Sequence, residues 1–193
     1  MIKIGIAGSM SRIGTTTQAI QLAQVLKQNY KICYVERNEK KYLNDLVNLY
    51  TTAKNKKDKI EYSGLEMYKN LPNLDNSLSK YDFVISDFGN INTRTFEEKS
   101  FKEQDIKIII SGSKPNEIFK TQVLLERSMY KDANFVFVFV PEEERVSIAS
   151  LMREKRDKTY FSDIVLDPYK LENSSKQLYT RILYSNLDMI EDI

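Results

Sequence analysis

Histidine is absent from the 193 residues. Without imidazole there is no Ser-His-Asp or Cys-His nucleophile, no histidine general base and no histidine-bearing zinc site. Cys33 is the one cysteine; it cannot form an internal disulfide or a thiolate cluster, which fits a reducing compartment, and a buried core position is expected for it. Glycine and proline number six and four, so collagenous and low-complexity readings drop out. No run reaches the about 18 apolar residues of a membrane helix, and Met1 to Ala7 leads into a strand-like pattern and not a signal peptide. A cytoplasmic protein with no integral membrane segment is expected. Charge is nearly balanced, 29 Lys and Arg against 27 Asp and Glu, too little net field to argue for direct binding of nucleic acid.

What is present is a globular composition, 41% apolar and 29% charged, over a length that suits one well-cored domain spanning 1–193. Ile2 to Ala7, Ile32 to Val35, Phe83 to Ile85, Ile106 to Ile110 and Phe135 to Val140 are short runs rich in Ile, Val and Phe. Continuous apolar character is what strands covered on both faces need. Between them, Thr16 to Gln28 places Ala19, Leu22, Ala23 and Leu26 on one helical stripe, and Ser174 to Asp188 does so with Leu178, Ile182, Leu183 and Leu187. The gaps are long enough for parallel crossovers, so the expected fold class is α/β: a doubly wound, mainly parallel sheet with helices on both faces. Gly8, Gly89, Gly112, Pro141 and Pro168 punctuate the carboxyl ends of apolar runs, where open α/β sheets bind ligands. The lysine-rich stretch Thr51 to Lys59 reads as a solvated loop or frayed helix end. No internal repeat is evident.

Chemistry concentrates in the first turn, Ile2-Lys3-Ile4-Gly5-Ile6-Ala7-Gly8-Ser9-Met10-Ser11-Arg12-Ile13-Gly14-Thr15-Thr16-Thr17. It reads as strand, small-residue loop, helix start. Amides at a helix N-terminus have no intrahelical acceptors and carry the positive end of the macrodipole, so an anion is stabilised wherever the loop lets the backbone approach it. Gly14 permits that approach. The expected polyphosphate-binding residues are Ser9, Met10, Ser11, Arg12, Ile13, Gly14, Thr15, Thr16 and Thr17. In a P-loop the hydroxyl two places after the last glycine, here Thr16, ligates the magnesium that bridges the phosphates.

This loop, with Tyr81-Asp82-Phe83-Val84-Ile85-Ser86-Asp87, resembles the MinD/ParA-like branch of P-loop ATPases, whose deviant Walker A loop runs into threonines. The resemblance implies ATP or ADP with Mg2+ as cofactors and Asp87 at the Walker B position, so that Thr16 and Asp87 organise the metal. It also places Glu36 and Asn38 where the family carries acidic residues near the attacking water; Asn38 cannot act as a carboxylate base. The loops after Val140 and Leu166 would lie near the adenine, which makes Pro141 and Pro168 candidates for the base pocket. Thr15 stands where the family has its Walker lysine, and Met10 where it has its signature lysine. The Gly-Thr-Thr-Thr ending is similar to CpaE/TadZ relatives and implies weak or no hydrolysis. Arg12 could restore part of the missing charge. A nucleotide-dependent homodimer, acting as a positional or assembly switch with a protein partner, is the family's usual role.

Two other readings stay open. Gly8 to Gly14 with Glu36 loosely matches a dinucleotide fingerprint, in which the acid would hold ribose hydroxyls, although Met10 and Ser11 occupy the ground of its second glycine. Alternatively the loop is a nucleotide-free scaffold that binds a protein partner, and a glycine turn is in any case how strands connect to helices. Tyr42, Tyr50, Tyr62, Tyr68 and Tyr81 suit either an interface or half-buried packing. Glu142, Glu143 and Glu144 read as acids in a first helical turn.

Overall fold

The strands obey the two-residue period of side-chain direction. In β1 (Ile2–Gly8), Ile2, Ile4 and Ile6 enter one core while Ala7 enters the other. In β8 (Asn134–Val138), Val136 and Val138 share the first core, and Phe135 and Phe137 the second. Both faces are apolar because both are covered. The computed structural model describes residues 1–39, 41–56, 59–69 and 78–187. Its remaining strands are β2 (Ile32–Glu36), β3 (Lys54–Lys56), β4 (Lys59–Tyr62), β5 (Leu65–Lys69), β6 (Phe83–Asn90), β7 (Ile106–Gly112) and β9 (Thr159–Ser162).

They form a nine-stranded sheet in the order β3-β4-β5-β2-β6-β1-β7-β8-β9. Pairing is parallel from β5 through β9, and β4 is antiparallel to both its neighbours. The expected doubly wound α/β architecture is what the chain adopts. Helices α1 (Thr15–Leu26), α2 (Tyr42–Leu49) and α6 (Asn173–Leu187) cover the face of Ile4 and Ile6; α3 (Glu98–Lys102), α4 (Pro115–Leu125) and α5 (Arg145–Leu151) cover the other. The acids Glu142–Glu144 form a 3₁₀ turn leading into α5.

The stretch Thr51 to Lys59 corrects an expectation. In place of a solvated loop or helix end, Lys54–Lys56 is an edge strand paired with β4. Lys56 donates to Glu61 at 3.1 and 3.0 Å, and Lys59 pairs with both Glu61 and Glu66. Cross-strand ion pairs replace apolar periodicity here, and charge on an edge strand discourages pairing with another chain. The tyrosines pack on one another: Tyr62 meets Tyr169 edge-on at 4.6 Å, Tyr42 and Tyr169 share a 2.7 Å hydroxyl contact, and Tyr68 bonds Tyr81. Cys33 lies in the core, where burial pushes its thiol up to about 12, so it stays an unreactive thiol.

Helix α1 is buried on more than its apolar stripe. Gln18, Gln21 and Gln24 are buried as well. Gln18 donates to Ser162 Oγ at 2.8 Å and accepts from the Tyr179 hydroxyl at 2.6 Å; Gln21 donates to the carbonyls of Pro168 and Lys170 at 2.9 and 2.7 Å. These bonds let Gln18 and Gln21 lie inside with partners, whereas the Gln24 amide nitrogen is buried without a partner among the described residues. The bonds of Gln18 and Gln21 also lash β9, the segment after it and α6 to the helix that begins at the glycine loop.

Candidate functional site

Strand order brings the site together. Because β6 lies between β1 and β2, Asp87 is registered beside Ile6 on one side and Glu36 on the other. Asp87 is fully buried. Its Oδ2 accepts from Thr16 Oγ1 at 2.6 Å and from the Tyr34 hydroxyl at 3.0 Å, while Oδ1 accepts from the Gly89 amide at 2.9 Å. Thr16 and Asp87, matched from 71 positions apart, are thus in direct contact. Tyr34 is a participant that the sequence reading missed. Burial, reinforced by the charge of Asp87, holds its phenol well above the ordinary value, so it remains a donor. Asn38 donates to the Asp87 carbonyl at 3.1 Å and lies over Gly89, where an added Cβ would come within 2.8 Å of Asn38 Cβ. With φ +67 besides, Gly89 suits this position for two reasons.

The loop between β1 and α1 has an unusual backbone balance. Ser9 N–H is used by the sheet, donating to the Ile110 carbonyl at 2.8 Å, and the first intrahelical bond runs from Gln18 N to Gly14 O. Between them, the amides of Met10 through Thr17 find no acceptor among the described residues. Gly14 opens the helix in the left-handed conformation, φ +83, and the space where its Cβ would stand is open. A run of unused donors beside open space, ending on a helix N-terminus, is what an anion site needs.

The nine loop residues proposed from sequence do not stand alike. Ser9 is fully buried, its amide and carbonyl both spent inside the protein. Ile13 and Thr15 are buried at 4% exposure, and both side chains point toward Gly8: a Cβ there would fall 2.3 Å from Thr15 Oγ1 and 3.4 Å from Ile13 Cδ1. Ser11 and Arg12 are exposed, with Arg12 at φ +63, and Met10, Gly14, Thr16 and Thr17 are half-buried. The Arg12 guanidinium makes no contact within the described residues that would aim it at the loop's concave side.

Of the two prolines, Pro141 lines a cavity of about 440 Å³ with Phe139, Val140, Arg145, Ser162, Asp163 and Ile164. Ser162, bonded to Gln18, joins that cavity to the first turns of α1. Pro168 is not among its lining residues; its carbonyl holds Gln21. Glu36 is a correction to the dinucleotide reading. Its carboxylate is 4% exposed and caps α2, accepting from Tyr42 N at 2.7 Å and Leu43 N at 3.3 Å. An acid committed to a helix N-terminus is not available to ribose hydroxyls.

Among the described residues no three acids or cysteines gather in a way that could hold a metal ion. Thr16 and Asp87 nevertheless suit magnesium brought in with phosphates, since that ion takes one or two protein oxygens and leaves the rest to phosphate and water. Donating its proton to Asp87 leaves the Thr16 oxygen with lone pairs that can serve a cation.

No family model matches the chain, and no curated protein does. Solved structures do. A plasmid partition protein from Borrelia burgdorferi bound to AMPPNP superposes with TM-score 0.69 at 14% identity, over 97% of this chain and 98% of that one. The MinC:MinD cell division complex of Aquifex aeolicus gives TM-score 0.58 at 13% identity, over 100% and 97%. The ParA of pNOB8 bound to nonspecific DNA gives 0.62 at 11% identity, over 99% of each chain. The chain has the fold of the ParA/MinD P-loop ATPases.

Proposed function

We propose that the protein binds ATP or ADP with Mg2+ at the loop from Met10 to Thr17, Thr16 and Asp87 organising the metal, and that hydrolysis is slow or absent. One observation carries the reading: a run of amides without acceptors opens beside a threonine already bonded to a buried aspartate. The AMPPNP-bound relative of the same fold supports the ligand class. Bound there, magnesium would offset the phosphate charge that Met10 and Thr15 do not meet with lysine. The cavity at Pro141 is the proposed place for the base, with Pro168 retained only as a support for α1. Ser9 serves as a structural floor to the loop.

By its fold the protein is proposed to act as one unit over 1–193, as a homodimeric positional or assembly switch with a protein partner in plasmid partition, conjugation, secretion or pilus machinery. No helix among the described residues is long and apolar enough to cross a membrane, and a cytoplasmic site of action is part of the proposal. Direct binding of nucleic acid is not, given the net charge of +2, although the pNOB8 relative is bound to DNA.

Calorimetric titration with Mg·ATP and Mg·ADP tests the reading. Wild type is expected to bind, and no heat at millimolar nucleotide would favour the second reading, a nucleotide-free scaffold. That alternative draws on Thr15, which fills the slot beside Gly8 where a lysine side chain would start. If the nucleotide binds, Thr15→Lys is expected to tighten it by adding a phosphate-facing charge; unchanged affinity would mean that the side chain cannot leave that slot.

A further inference from the structure

The last residue of β6 and the turn after it reach back to the glycine loop. Ile91 N donates to the Gly8 carbonyl at 3.0 Å. Asn92 Nδ2 donates to the Ser9 carbonyl at 2.7 Å, and Asn90 Nδ2 to Ser11 Oγ at 3.0 Å. The turn is itself braced, because Asn92 N donates to Asn90 Oδ1 at 3.0 Å and Thr93 Oγ1 to the Asn90 carbonyl at 2.9 Å.

A trans peptide is planar, with its C=O and N–H on opposite edges. The Gly8–Ser9 peptide is therefore held from both edges, its carbonyl by Ile91 and its N–H by Ile110. The next peptide is held from one edge only: Asn92 takes the Ser9 carbonyl, which directs the Met10 N–H away from β6. A carbonyl that rotated inward would present a negative dipole to an incoming anion, so the side chain that restrains it decides whether the loop offers donors or acceptors.

We infer that Asn92, braced by Asn90, is a positioning residue of the polyphosphate site, clamping the loop with its amides outward before any ligand arrives. The inference rests on the nucleotide reading above and adds to it how a loop without lysine keeps its donors aligned. Neutral amide dipoles attract an anion only when several point at it together, so affinity here depends on preorganisation more than it would beside an ammonium group. The clamp and the proposed metal residue sit on one stretch of chain, Asp87 to Asn92, so the same strand end holds both parts of the site.

Asn92 is exposed, so its replacement leaves the core intact. Asn92→Ala and Asn92→Asp remove the donor, and the second also places an acceptor against the Ser9 carbonyl. In nucleotide-free protein, ¹⁵N relaxation order parameters of Met10 to Gly14 are expected to fall from the rigid range near 0.85 toward the flexible range below about 0.6 in both variants. Affinities for Mg·ATP and for Mg·pyrophosphate should fall together, by about tenfold, since the clamp acts on the loop and not on the base. An unchanged order parameter in Asn92→Ala would overturn the clamp whatever the ligand data show. A mobile loop with wild-type affinity would overturn its part in binding. Wild type that binds neither ligand would instead overturn the nucleotide reading.

Discussion

The two ends of the sheet treat the backbone in opposite ways. At the amino ends, acids close the loops on neighbouring strands: Asp82 Oδ2 accepts from Lys31 N at 2.8 Å, and Asp105 Oδ2 from Lys3 N at 2.7 Å. Donors there meet acceptors, and each acid is spent on architecture. At the carboxyl ends, Met10 through Thr17 leave their amides without partners among the described residues, while a buried aspartate collects hydroxyls and an amide from β2, α1 and its own strand. Unused donors are tolerated where water or a ligand can reach them. The difference separates the end that maintains the fold from the end equipped for a ligand.

Four substitutions would break or sharpen that contrast. The largest effect is expected for Thr16→Ala, which removes both the metal oxygen and the donor to Asp87: Mg·ATP affinity should drop about a hundredfold by calorimetry, and the melting temperature should fall by a few degrees while Tyr34 and Gly89 still hold the carboxylate. Equal affinity would make the carboxyl end as architectural as the other. Next is Gly8→Ala. The new methyl would lie 2.3 Å from Thr15 Oγ1 and 2.9 Å from the Met10 carbonyl, and urea denaturation is expected to show a loss of about 2 kcal/mol.

At the opposite end, Asp105→Ala should cost about 1 kcal/mol of stability for one lost bond to a backbone amide, and leave nucleotide affinity unchanged. A matching loss of affinity would erase the distinction between the ends. The smallest change is expected for Glu36→Gln. Burial raises the Glu36 carboxyl above its ordinary value, against the pull of the Leu43 and Tyr42 amides. A raised acid contributes stability that is complete below its unfolded pKa and lost as pH rises through the folded one. Unfolding free energies measured from pH 4 to 7 should therefore decline less in the glutamine variant, by a few tenths of a kcal/mol, and NAD titration should show no Glu36-dependent binding.

The parts of the fold legible in sequence were those with strong periodicity. The apolar runs at Ile2, Ile32, Phe83, Ile106 and Phe135 all became strands, and the stripe from Ala19 to Leu26 became α1, within a residue or two of the expected bounds except at β6, which runs five residues past Ile85 to Asn90. Strands β3, β4 and β5 escaped because they are short and mix Lys and Glu with their other residues, their order resting on ion pairs and on neighbours already in place, and β9 escaped because its four residues, Thr159–Ser162, are too few to show a period. In the site, Thr16 and Asp87 were legible through motif resemblance, and Tyr34 was not. Its signal was its parity with Glu36 on β2, which acquires meaning only when β2 is known to lie beside β6. Asn90 and Asn92 carry no signal in the sequence, because their partners Ser11 and Ser9 lie 79 and 83 positions away.

The sequence alone determined the chemistry excluded and the kinds of element present: no imidazole, one thiol, buried parallel strands, and a threonine-rich turn stripped of lysine. Tertiary structure decided which polar groups would meet. Glu36 became a cap for α2, Ser9 turned inward, and Asp87 met hydroxyls from positions 71 and 53 residues distant. Local pattern sets which way a side chain points within its own strand or helix. Only the order of strands in the sheet sets what lies opposite, since that order follows from burying both faces at once.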